Sequence, residues 1–88
     1  MTRPAASQLD KALAYIRLRN PQGARNVRRS IEAALDLLLH QPYAGAVTVR
    51  PGIRRVMALP YPYAITYRVI ADEIVILGIR HAARQPHP

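Results

Sequence analysis

Arginine and tyrosine crowd the second half of the chain, at Arg50, Arg54, Arg55, Tyr61, Tyr63, Tyr67, Arg68, Arg80, His81 and Arg84. Guanidinium groups fork onto phosphate or carboxylate oxygens and tyrosine rings stack on unpaired bases, so this mixture on a sheet could grip an anionic polymer such as RNA. A plainer account fits the same residues, with Tyr63 and Tyr67 in a core and the arginines on a solvated face. The basic run Arg25, Arg28 and Arg29 reads as the wet side of an amphipathic helix. Other chemistries lack their residues. None of His40, His81 and His87 is followed four residues on by a histidine or a carboxylate, so no metal site is expected. Asp72 and Glu73 fall where a hairpin turn is expected, and turn chemistry alone accounts for the Asp. Ser7 and Ser30 are the only serines and neither sits in a nucleophile-exposing Gly-x-Ser-x-Gly turn. No glycine-rich phosphate loop is present, and no cofactor is implied.

The chain has 88 residues, 50% of them hydrophobic, which is one small domain over 1–88 with room for one core. Without cysteine there are no disulfides and no thiolate chemistry, consistent with a reducing compartment; the cytoplasm is the expected location. No apolar run approaches the ~20 residues of a membrane span, and Met1 to Leu9 lacks the apolar core of a signal peptide. Thirteen basic residues against five acidic leave a net charge of +8, and twelve of the thirteen are arginine. An anionic partner is implied.

Those side chains must be positioned by a short list of elements. Leu9, Ala12, Leu13 and Ile16 recur at helical spacing, predicting a helix over about 7–19. Asn20-Pro21 then stops it and starts another, because Pro disfavours the α region in the residue before it yet is tolerated at a first helical position. Ala24, Val27, Ile31, Leu35 and Leu38 carry one apolar stripe to Gln41-Pro42, predicting a second helix over 21–40 and hence a helix hairpin. After Pro42 the period changes to 2. Strands are predicted over 53–59, 63–70 and 74–79, with connections short enough to make each pair antiparallel. Tyr63, Ile65, Tyr67 and Val69 form the face expected under the helices. The last strand, apolar on both faces, is expected to be the most enclosed.

Taken in order, helix, Asn20-Pro21, long helix, Gln41-Pro42, Gly52-Ile53-Arg54-Arg55, the run PYAITYRV over 62–69 and the run IVILGIRHAAR over 74–84 resemble the RelE/ParE superfamily of toxins from type II toxin–antitoxin modules. The resemblance spans about residues 4–86 and is strongest to the ParE branch. It implies an α+β fold in which an N-terminal antiparallel helix hairpin packs on an antiparallel sheet of three strands, with room for a fourth. It also implies a plasmid-stabilising toxin that arrests growth, a cognate ParD-like antitoxin in a hetero-oligomer of heterotetramer size or larger, and DNA gyrase as the target of the ParE-like branch. Direct nucleic-acid binding is left open. The target- or antitoxin-binding residues implied are Arg54, Arg55, Tyr61, Arg68, Arg80, His81 and Arg84.

Two departures matter. Met57 and Ala64 stand where RelE-like ribosome-dependent endoribonucleases carry basic catalytic residues, and the chain stops short of their C-terminal tyrosine, leaving Arg55 and Arg84 as basic matches. RNA cleavage needs a base, a stabiliser of the phosphorane charge and a leaving-group acid, and arginines mainly stabilise charge. A toxin that binds a protein is therefore expected over an enzyme, with no catalytic residues; the RelE-type nuclease and a non-toxic antitoxin-binding remnant are the alternatives. Second, Met1-Thr2-Arg3 is too short for the strand that usually precedes the first helix, so either that strand is vestigial or the start is placed late, and loss of the strand would leave a sheet edge unpaired and increase reliance on the antitoxin.

Overall fold

The computed structural model describes residues 3–82. Two helices, α1 (Arg3–Arg19) and α2 (Pro21–His40), precede four strands, β1 (Ala46–Val47), β2 (Arg54–Met57), β3 (Tyr63–Ile70) and β4 (Glu73–His81). The strands form one antiparallel sheet in sequence order. This is the α+β architecture expected. None of the described helices is long and apolar enough to cross a membrane.

Asn20 makes the helix hairpin. Its N–H closes α1 on the Ile16 carbonyl at 2.6 Å, and its side chain, in extended backbone geometry, accepts from Gly23 N–H at 3.0 Å to cap α2. Pro21 follows at the first helical position, where the missing N–H costs nothing. The start of α1 differs from the expected Ser7. Arg3 is already helical, since Pro4 is as well tolerated in a first turn as Pro21 is. Met1 and Thr2, on which the expectation about an N-terminal strand falls, lie outside the described residues.

One core lies between the helices and one face of the sheet. Leu13 from α1, Val27, Ile31, Ala34 and Leu38 from α2, Ala58 after β2, and Tyr63, Ile65, Tyr67, Ile76 and Ile79 from the sheet are its buried members, with Val69 partly buried against them. The middle strand therefore presents the face that alternation assigns to it. β4 is not the most enclosed strand. It is an edge, and β3 beside it buries Tyr63, Ala64, Ile65 and Tyr67. The double-sided apolarity of β4 has another cause. A bulge between Thr66 and Tyr67 pairs Tyr67 with Ile76 and Thr66 with Gly78, so Leu77 has no partner across the strand. Ile76 and Ile79 then both face the core, while Leu77 reaches the other side. The β4 edge is partly covered by α1, whose Gln8 Oε1 accepts from Ile79 N–H at 2.8 Å.

The other differences come from turns. β2 ends at Met57, before the expected Leu59, because Ala58 starts a turn in which its carbonyl accepts from Tyr61 N–H at 3.2 Å. Ala71 and Asp72 both have positive φ, 48° and 64°, so the β3–β4 turn has two residues and Glu73 already belongs to β4. The fourth strand is β1, too short to show a period. It is held by the connection before it, where the Tyr67 hydroxyl donates to Pro42 O at 2.8 Å and accepts from Gly45 N–H at 2.9 Å. Tyr67→Phe strands these partners, and a loss of about 1–3 kcal/mol in unfolding free energy, read from urea denaturation, is expected.

Candidate functional site

The sheet face turned away from the helices carries the charge. Strand register places Arg55 opposite Thr66 and Thr66 opposite Gly78, while the next row runs Met57, Ala64, Arg80. Small residues in the middle of both rows leave a trough. It is a groove of about 540 Å³ floored by Ala64, Thr66 and Gly78.

One wall is the β1–β2 connection, contributing Thr48, Val49, Arg50 and Ile53. Its shape is set by Thr48, whose N–H and hydroxyl both donate to Ile53 O, at 3.1 and 2.9 Å, and by Gly52, which takes the positive φ of 78° that the turn requires. The facing wall is Leu77, delivered by the bulge, with Arg80 beyond it. Val49 is fully exposed at the lip. Arg50, Arg55 and Arg80 thus aim into a groove with apolar Val49, Ile53 and Leu77, and no carboxylate is among its lining residues. Such a site can hold carboxylate or phosphate oxygens bidentately while covering apolar groups between them. Its lining has hydroxyls and guanidiniums but no imidazole or carboxylate to move a proton at neutral pH.

The residues singled out from the sequence divide between the two faces. Arg55 and Arg80 line the groove, and Arg68 is exposed on the same face, one row along beside Gly52. Arg54 points the other way. Its Nη1 donates to Tyr43 O at 3.1 Å and Gly45 O at 2.9 Å, and its guanidinium lies 5.1 Å from the Tyr43 ring centroid. It braces the same connection as Tyr67. Tyr61 is half-buried against the core. His81 lies on the helix-facing side, edge-on to Tyr63 with centroids 5.2 Å apart, and its Nδ1 is buried without a hydrogen-bond partner among the described residues. Arg84 lies outside the described residues. Among those described, no three histidine, aspartate or glutamate side chains come together as a metal site.

Sequence reasoning missed Leu77, Gly78, Thr66 and, apart from Arg50, the Thr48–Ile53 wall as site residues. Their common signal is weak: a glycine within an apolar run, which marks a bulge or a close approach.

A family model described as ParE toxin of type II toxin-antitoxin system, parDE, matches residues 1–86. Among solved structures, the chromosomal ParDE toxin–antitoxin system from P. aeruginosa is similar at 28% sequence identity with a TM-score of 0.77, over 91% of this chain and 89% of that one. Comparison with curated proteins returns no match. The two helices, the four-stranded antiparallel sheet and a family match over nearly all of the chain agree, and the chain belongs to the ParE toxins of type II toxin–antitoxin systems.

Proposed function

We propose that the sheet groove is the surface through which this ParE-type toxin is neutralised by its antitoxin, and that the same face, once vacated, engages DNA gyrase in the cytoplasm and blocks replication. The observation that carries this reading is the convergence of Arg50, Arg55 and Arg80 on a groove with apolar walls and no carboxylate in its lining. An extended segment alternating acidic and apolar side chains complements it, its carboxylates meeting the guanidiniums and its apolar groups covering Val49, Ile53 and Leu77.

The same lining speaks against a RelE-type nuclease. Met57, Ala64 and Arg80 share one row, so the groove stabilises negative charge without supplying the base and acid of in-line cleavage. Purified toxin is expected to inhibit supercoiling by purified gyrase and to leave messenger RNA intact on translating ribosomes. Codon-specific cleavage by the wild-type chain, lost on Arg80→Ala, would restore the nuclease. Failure in both assays, with antitoxin binding intact, would leave the antitoxin-binding remnant.

Neighbouring arginines should separate cleanly. Arg55→Ala and Arg80→Ala each remove a charge-assisted hydrogen bond to the partner, and calorimetric titration with the antitoxin should show at least about tenfold weaker binding. Arg54→Ala should leave that affinity unchanged. It removes bonds to two backbone carbonyls instead, and the urea midpoint should fall by the equivalent of about 1 kcal/mol.

A further inference from the structure

A second cationic site lies on the helix layer, across the sheet from the groove. Arg17 near the end of α1 and Arg25 and Arg28 of α2 surround a pocket of about 230 Å³ floored by Leu13, Pro21 and Ala24. Leu13 and Ala24 are 2% and 6% exposed, so these two floor residues are buried, while Pro21 is exposed. Arg25 is oriented by a bond from its Nη2 to Gln22 Oε1 at 2.7 Å, and Gln22 Nε2 in turn donates to Asn26 Oδ1 at 3.0 Å.

Helix stability explains only part of this cluster, since Arg17 in the last turn of α1 suits the negative end of that helix dipole but the arginines of α2 gain nothing comparable. Arg25 and Arg29 stand at i and i+4, a repulsive spacing, and the first turn of α2 has no acidic residue to complement the helix dipole. Residues 12–31 hold five arginines and no carboxylate, and the next one along α2 is Glu32. Over 3–40 seven basic residues face three acidic, a net +4 on the helix layer alone. A solvated helix face would account for Arg25, Arg28 and Arg29. Neither that face nor the α1 dipole requires Arg17 to line the same pocket as Arg25 and Arg28, where the two helices bring three guanidinium groups around one floor.

We propose that this corner binds the sugar–phosphate backbone of duplex DNA, independently of whatever protein occupies the sheet groove. Arginine forks match phosphate oxygens, and a shallow pocket on an outer corner of the helices can approach a backbone that a deep groove could not admit. Leu13 and Ala24 are buried and Pro21 is the one exposed apolar residue of the lining, so the corner offers little apolar anchor for an acidic peptide. The interaction is therefore with phosphates and carries no sequence preference.

Fluorescence anisotropy of a labelled random-sequence duplex, titrated with the full-length chain across a salt series, tests this. The Arg17→Ala/Arg25→Ala/Arg28→Ala triple variant should flatten the slope of log K against log salt by about 2 to 3, at ~0.9 for each phosphate no longer neutralised, and weaken binding at least about tenfold at the lowest salt. The corresponding triple lysine variant should keep the wild-type slope. Arg55→Ala/Arg80→Ala should change it little. Should the alanine triple melt early by circular dichroism, Arg28→Gln decides in its place, with an expected flattening of about 1. An unchanged slope in the helix variants, or a loss confined to Arg55→Ala/Arg80→Ala, overturns the proposal. So does displacement of the duplex by polyglutamate as readily as by unlabelled duplex, which would assign the corner to an acidic protein.

Discussion

The Tyr67 hydroxyl is the point on which the rest of the molecule depends. Its ring is fully buried in the middle of β3, and its oxygen gathers in the Pro42 carbonyl and the Gly45 N–H, 25 and 22 residues away in sequence. A Cβ at Gly45 would stand 2.5 Å from that oxygen, so the backbone there must be glycine to come so close. Arg54, on the next strand, clamps the Tyr43 and Gly45 carbonyls of the same connection. With the connection fixed, β1 can pair with β2, and the Thr48–Ile53 turn stands as one wall of the groove. Polar bonds on the buried face of the sheet thus shape the site on its open face.

The opposite wall depends on the bulge. One extra residue in β4 lets Ile76 and Ile79 both enter the core and turns Leu77 outward beside Gly78. A regular strand would put side chains alternately on either face and lose one of these three placements. The charge then follows from what the core excludes. Arginines that cannot be buried unpaired collect on the open face of the sheet and along the helices, and with few carboxylates to answer them they remain available to anionic partners.

Much of this is legible in the amino-acid sequence wherever one periodicity runs long enough. The five-turn stripe of α2, the Asn20-Pro21 break and the alternation of β3 are local signals, and the structure follows them closely. Signals carried by one or two residues were not legible. Ala46–Val47 is too short for a period and owes its strand geometry to Tyr67, far along the chain. The apolarity of β4 reads as burial on both sides when it is a bulge at an edge. Arg54 and Arg55 are equivalent by type, but adjacent strand positions face opposite ways, so one braces the fold and the other lines the groove. Register decides between them, and register is set by pairings distant in sequence.

Methyl NMR of the toxin with and without its antitoxin tests most directly whether the sheet groove is the partner surface. Val49, Ile53 and Leu77 line the groove, whereas Leu9 and Leu35 line the outer groove of the helix hairpin, so the two candidate surfaces report through separate methyl groups. The expected result is large shifts at Val49, Ile53 and Leu77 that saturate at the stoichiometry of the complex. Unmoved methyls at these three positions, with shifts confined to Leu9 and Leu35, would contradict the assignment of the groove.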